Sequence, residues 1–140
     1  MLPTRVNSYS NTFNYDSIGN ILKKVQVNTV RYDDGREEDL PGTSYTYNYE
    51  YTSGRPHAVT STGSKLYSYD KNGNMTAWAD GNQWRTMSWD EENRLKMTVD
   101  NWNKVEYRYD DKGIRIVKKG NTGEVVYANH NYTISVATRP

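Results

Sequence analysis

The sequence predicts an all-β fold, an antiparallel β-meander of stacked hairpins. Three observations predict it. One motif recurs at a 20-residue spacing, turn-forming residues recur about every ten residues, and aromatic residues alternate with polar ones between the turns.

The motif is aromatic, any residue, aromatic, Asp, two residues, then Gly or Asn. It occurs at Phe13-Asn14-Tyr15-Asp16-Ser17-Ile18-Gly19 and at Tyr67-Ser68-Tyr69-Asp70-Lys71-Asn72-Gly73. It returns at Met87-Ser88-Trp89-Asp90-Glu91-Glu92-Asn93, with Met in the first place, and at Tyr107-Arg108-Tyr109-Asp110-Asp111-Lys112-Gly113. Residues two apart lie on one face of a strand, so the two aromatics share a face. Asp opens a turn because its carboxylate accepts from the backbone N–H groups just ahead. Gly or Asn three places on suits the left-handed residue that closes a type I turn with a bulge. Each motif therefore reads as strand, tight turn, strand.

A second set of turn signals lies between the motifs, at Asp80-Gly81-Asn82, Asp100-Asn101 and Gly120-Asn121-Thr122-Gly123. Strands of roughly five or six residues fit between successive turns. Each 20-residue repeat is then one hairpin, with a turn on either edge of the sheet. No segment sustains the 3.6-residue period of a helix.

The first third is less regular. Ile21 to Val27 reads as the strand leaving the first turn, and Arg31-Tyr32-Asp33-Asp34-Gly35 as a further turn. The charged stretch from Arg36 to Gly42 reads as an exposed loop. Tyr45, Tyr47, Tyr49 and Tyr51 alternate with Thr46, Asn48 and Glu50 as a half-buried strand. Counting back 20 residues from Asp70 reaches Glu50, which makes Tyr47-Asn48-Tyr49-Glu50 a degenerate motif. The 34 residues from Asp16 to Glu50 then include an insertion. At the far end only Tyr127 fits a fifth motif, because Asn129, His130 and Thr133 replace its aromatic, Asp and Gly. The expected organisation is a single repeat region over residues 1–140. It is less regular over 1–56, regular over about 57–127 and degenerate over 128–140.

Composition suits a thin layer. Leu, Ile, Val and Phe together number 22 of 140 residues, too few for a conventional core. Against disorder stand a net charge of +1 and 13 Tyr with 4 Trp, whose apolar bodies pack while their polar edges stay wet. There is no Cys, hence no disulfide or thiolate chemistry. The near-neutral charge gives no general drive toward nucleic acid, and no stretch approaches a membrane span. The first residues hold no apolar run of the secretion-signal kind, so the chain is expected to be soluble where made or an internal piece of something longer.

With these motifs the chain resembles the RHS/YD-repeat family over about Phe13 to Tyr127. The most specific stretches are Tyr69-Asp70-Lys71-Asn72-Gly73-Asn74-Met75-Thr76 and Arg55-Pro56-His57-Ala58-Val59, which is similar to the family's recurrent PHAV element. The family includes bacterial Rhs proteins, components of insecticidal Tc toxins, wall-associated proteins and teneurins. The resemblance implies hairpins stacked edge to edge in a long spiral sheet, a shell that in bacterial members encloses a toxin or effector domain. It implies a secreted or cell-surface setting, bacterial in most members, within a larger protein. The chain lacks the family's DPxGxx-type segment and a variable domain after the repeats. Neither toxicity nor self-cleavage is therefore carried over, and the chain is read as a segment of such a shell.

Catalytic readings fare poorly. His57 and His130 stand 73 residues apart with no ligand spacing around them, so no metal site is expected. Asp16, Asp70, Asp90 and Asp110 hold equivalent places in successive repeats, whereas an active site is unique, so turn formation is their expected role. No nucleophile elbow or phosphate loop occurs, and no cofactor is expected. Asn74-Met75-Thr76 and Asn131-Tyr132-Thr133 match the short glycosylation pattern, which chance readily supplies. The residues expected to matter are structural: Tyr15, Asp16, Gly19, Tyr69, Asp70, Gly73, Trp89, Asp90, Asn93, Tyr109, Asp110 and Gly113. Their aromatics are expected to stack as a cross-strand ladder. The alternative function is a carbohydrate- or protein-binding surface, for which Trp78, Trp84 and Trp102, outside the motif, are the ligand-facing candidates. Partners are expected at the sheet edges, as the rest of a larger shell or as further copies of the chain.

Overall fold

The computed structural model describes residues 5–129 and 132–137. They form thirteen β-strands and no helix. The chain divides into two compact units, residues 1–64 and 65–140.

The first unit holds β1 (Arg5–Tyr15), β2 (Ile21–Tyr32), β3 (Glu37–Asp39), β4 (Tyr45–Glu50) and β5 (Ser61–Thr62). The strands β1 and β2 form a long hairpin, in register from Arg5 opposite Tyr32 to Asn14 opposite Lys23. The first part of β2 also pairs with β4, and β4 pairs with β5. The charged stretch after Gly35 is not wholly loop. Its residues Glu37–Asp39 form β3 along Thr29–Arg31. The cause is length: β4 covers only Lys23–Gln26 of the twelve-residue β2. The remaining edge of β2 has unpaired backbone groups, and the chain folds back through Gly35 (φ +82°) to meet them.

The second unit is an unbroken meander. It comprises β6 (Lys65–Tyr69), β7 (Met75–Asp80), β8 (Gln83–Trp89), β9 (Leu95–Asp100), β10 (Lys104–Tyr109), β11 (Arg115–Gly120), β12 (Gly123–Asn129) and β13 (Tyr132–Ala137). Each strand pairs antiparallel with the next. On one edge every motif makes a bulged turn, with register shifts at Tyr69, Trp89 and Tyr109. On the other edge the loops are shorter. Asp80 pairs with Gln83 and Gly120 with Gly123, leaving two residues in each turn.

One register recurs in both units. The residue seven places after a motif Asp faces the residue four places before the next motif position. The pairs are Ala77 with Thr86, Met97 with Glu106, and Val117 with Val126. In the first unit Lys23 faces Asn48. That pair puts the second motif position at residue 52, two beyond the Glu50 reached by counting.

Little is fully buried. Val30, at 2% exposure, is the one buried hydrophobic residue among those described. Most inward-turned side chains of the second unit are half-buried, which fits a sheet built on Tyr and Trp rather than on aliphatic residues.

Candidate functional site

Four motif turns share one hydrogen-bond pattern. The Asp16 N–H donates to the Asn20 carbonyl at 2.9 Å, and the Gly19 N–H donates to the Asp16 carbonyl at 3.2 Å. Asp70 with Asn74 and Gly73, Asp90 with Arg94 and Asn93, and Asp110 with Ile114 and Gly113 repeat these two bonds within about a tenth of an ångström. The closing residue is left-handed throughout. Gly19, Gly73 and Gly113 have φ of +89°, +93° and +78°, and Asn93 has +60°. Each Asp Oδ1 also accepts two backbone N–H groups, from the residues two and four places on. The carboxylate thus satisfies donors that the turn leaves without carbonyl partners.

The residue four places after the Asp is a motif position that sequence reasoning missed. Asn20 and Asn74 donate from Nδ2 to the second carboxylate oxygen of Asp16 and Asp70, at 2.8 and 3.0 Å. Arg94 donates from Nε to Asp90 at 2.7 Å. These same side chains then reach onward. Asn74 donates to Asn93 Oδ1 at 2.7 Å and Arg94 donates to the Asp110 carbonyl at 3.4 Å, which joins three successive turns. Asn20, only 8% exposed, donates to the Pro56 carbonyl at 2.6 Å and bonds His57 Nδ1 at 2.7 Å. The Arg55–Val59 element is therefore held to the first turn, and His57 has a structural partner. The repeated pair Gly-Asn at 19–20 and 73–74 was the available signal.

The opposite edge is tied differently. Asn101 donates from Nδ2 to the Asn82 carbonyl at 2.6 Å and accepts from the Trp84 N–H at 3.1 Å. Asn121 does the same to Trp102 and Lys104, at 3.0 and 3.3 Å. Each side-chain amide acts as an extra peptide group linking its turn to the one before. Asn101→Ala is expected to cost about 1 kcal/mol, since two exposed hydrogen bonds are lost. Urea denaturation measures it, and a variant as stable as the parent chain contradicts the linking role.

The second motif aromatic is anchored to the preceding repeat. Trp89 donates from Nε1 to the Met75 carbonyl at 2.8 Å, and Tyr109 donates from its hydroxyl to the Leu95 carbonyl at 2.9 Å. Each acceptor lies five places after a motif Asp. In the first unit Tyr51 makes the equivalent bond, to the Ile21 carbonyl at 3.0 Å. This agrees with the strand register: the degenerate motif ends in Tyr51-Thr52, not Tyr49-Glu50. Thr52 takes the Asp place, and its N–H is held by Thr60 Oγ1 at 3.0 Å.

The expected ring-on-ring ladder takes another form. Trp89 on β8 and Tyr109 on β10 are two strands apart, about 9.6 Å, beyond ring-stacking range. Cations sit over the rings instead. Arg94 lies 5.1 Å from the Tyr109 centroid, Arg115 lies 5.7 and 4.8 Å from those of Tyr107 and Tyr127, and Lys65 lies 4.5 Å from that of Trp78. Phe13 with Tyr15 and Tyr45 with Tyr47 do pair as rings, each pair within one strand.

Trp78, Trp84 and Trp102 border one shallow concavity of about 280 Å³, with Gln83, Arg85, Asp100, Asn101 and Asn103. Register places Trp78, Arg85 and Asp100 on one face, while Trp84 lies opposite Ala79 on the other. Arg85 bonds Asp100 at 2.9 Å. Trp102, at 85% exposure, is the most open large hydrophobic side chain among the described residues. His130 and Asn131 lie outside the described residues. Asn74 Nδ2 already donates to Asp70 and Asn93, so a glycan attached there would leave one N–H for the two bonds.

Burial tends to raise the carboxyls of Asp16, Asp70 and Asp90, but hydrogen bonds to the charged form outweigh it and hold all three below the ordinary 3.8. The Arg85 hydrogen bond lowers Asp100 in the same direction. Their stabilising effect is complete above the unfolded-state value and is lost as pH falls through the lowered folded values. The urea midpoint is therefore expected to stay level down to about pH 5 and to decline toward about pH 2. A midpoint unchanged across that span contradicts the carboxylate role. Among the described residues no group of His, Asp and Glu is arranged to hold a metal ion.

Periodic turns, one conserved strand register and aromatics tied to the preceding repeat describe a repeating wall. No curated protein matches the chain. The family model described as teneurin YD-shell matches residues 3–136, and the chain belongs to that family.

Proposed function

We propose that the chain, a structural, shell-type YD-repeat segment, forms part of a wall enclosing a cargo domain, such as a toxin or effector, within a larger polypeptide. The observation that carries this reading is the repetition itself. The same register and the same turn bonds recur from Asp16 to Asp110, so within each unit the hairpins repeat one arrangement, and among the described residues no motif Asp is set apart from its counterparts by a polar cluster of its own. A wall works sterically, by keeping solvent and proteases from what lies behind it. The test is limited proteolysis of the intact polypeptide that carries these repeats. An enclosed domain should resist trypsin until the wall is denatured. Cleavage at the rate of the isolated domain would falsify the enclosure.

One observation favours a second reading, a carbohydrate-binding surface. Trp78, Trp102, Arg85 and Asp100 gather around a concavity the size of a single sugar ring. Trp102→Ala should then remove binding on a glycan array while leaving the circular dichroism spectrum unchanged. Equal array signals for both chains end that reading.

A further inference from the structure

We infer that the Trp89 ring and the hollow beside it bind an arginine side chain of a partner polypeptide. The inference goes beyond the wall reading and does not depend on it. It comes from equivalent places in successive repeats. Tyr109 bonds the Leu95 carbonyl, and Arg94, one residue before that acceptor, lies 5.1 Å from the Tyr109 centroid. Trp89 bonds the Met75 carbonyl in the same way, but the residue before its acceptor is Asn74. An amide brings no charge to the ring. Arg94 shows that the arrangement accepts a guanidinium, and Trp attracts cations more strongly than Tyr.

Other rings of the second unit have their cation from within the chain. Lys65 lies over Trp78, Arg94 over Tyr109, and Arg115 over Tyr107 and Tyr127. Among the described residues no Lys or Arg lies over Trp89. In the first unit the corresponding aromatic is Tyr51, with Asn20 before its acceptor Ile21. There a further segment docks, since Asn20 bonds the Pro56 carbonyl and His57. Asn74 holds no such segment; its amide donates to Asp70 and Asn93.

The surroundings of the ring suit a cation. Trp89 borders an open hollow of about 660 Å³ with Met87, Glu91, Glu92 and Lys96. Asp70 and Asp90, at its rim, are engaged in their own turns. Glu92 pairs with Arg94 at 3.0 Å. Glu91 is exposed and has no ion pair among the described residues, so its carboxylate is open to a cation from outside. Lys96 is the one basic residue lining the hollow among those described, and it does not lie over the ring. Arginine fits better than lysine. Its flat guanidinium stacks on an aromatic face while its edge N–H groups still reach a carboxylate.

The test follows the indole N–H signal of Trp89 by NMR in the whole chain, assigned with the Trp89→Phe variant. One probe is a short end-blocked peptide of glycine and serine around a single arginine. The other is the same peptide with citrulline, which keeps the shape without the charge. The arginine peptide should move the Trp89 signal saturably, and the citrulline peptide should bind at least several-fold more weakly. Glu91→Gln should weaken the arginine peptide several-fold. Asn74→Arg should supply the cation from within the chain, so that the Trp89 signal starts shifted and the peptide no longer moves it. Arg94, bonded to Asp90 from Nε, shows that this motif place accepts Arg, and a urea melt checks that the variant folds. If it does not fold, the citrulline and Glu91→Gln comparisons decide. No response to the arginine peptide, equal responses to both peptides, or an undiminished response in a natively folded Asn74→Arg chain overturns the inference. The enclosing wall stands or falls separately, on proteolysis.

Discussion

Trp89→Ala is expected to destabilise the chain by about 2–3 kcal/mol, the largest loss from truncating a motif side chain. Trp→Ala in a full core costs about 3–5 kcal/mol, and Trp89 is half-buried, so its packing share is smaller. The lost bond from Nε1 to the Met75 carbonyl adds to it, since that carbonyl stays partly shielded without its donor. Trp89→Phe separates the two parts. It keeps one aromatic ring in place, removes the donor and gives up only part of the packing, for about 1–2 kcal/mol. Trp102→Ala is the control. At 85% exposure its ring has little packing to lose, and the change should fall within about 0.5 kcal/mol. Urea melts of the three variants decide the matter. Equal losses for Trp89→Ala and Trp102→Ala would mean that the motif aromatic is not an anchor between repeats.

The contrast between those tryptophans shows which parts of the fold could be read in advance. Trp89 was legible as structural because it occupies the Tyr place of a motif whose turn chemistry is local. An Asp carboxylate and a left-handed residue three places on are sufficient to fold the chain back, and even Asn93 follows the rule. Strand positions from Lys65 onward follow from that spacing. The position of the second motif was not legible. Counting by 20 reaches Glu50, but residues 51–60 form a wide loop closed by Thr52 and Thr60, and the pairing of Lys23 with Asn48 and the Tyr51 bond to Ile21 reveal the offset. β3 was hidden for a related reason. Glu37–Asp39 has no strand propensity of its own, and it is recruited by the length of β2. The linking roles of Asn20, Asn74, Arg94, Asn101 and Asn121 depend on partners 16 to 37 residues away. No local propensity encodes such a bond, although the repetition of Asn in those places hinted at one.

Gly123→Ala is the second change expected to have a large effect, and its cause is steric. Gly123 has no positive φ, so conformational strain is not the issue. A Cβ there would stand 2.7 Å from the Val136 carbonyl oxygen and 3.3 Å from Ala137 Cα. Both atoms are backbone and cannot swing aside like a side-chain end. The ends of β12 and β13 must part, at a cost of about 1–3 kcal/mol. Gly120, its partner across the turn, is the matched control, because a Cβ there meets only Gly123 O at 3.9 Å. Hydrogen exchange should show faster amides in β13 for Gly123→Ala and near-parental ones for Gly120→Ala. Similar exchange in both variants would show that β13 is not held by this close approach.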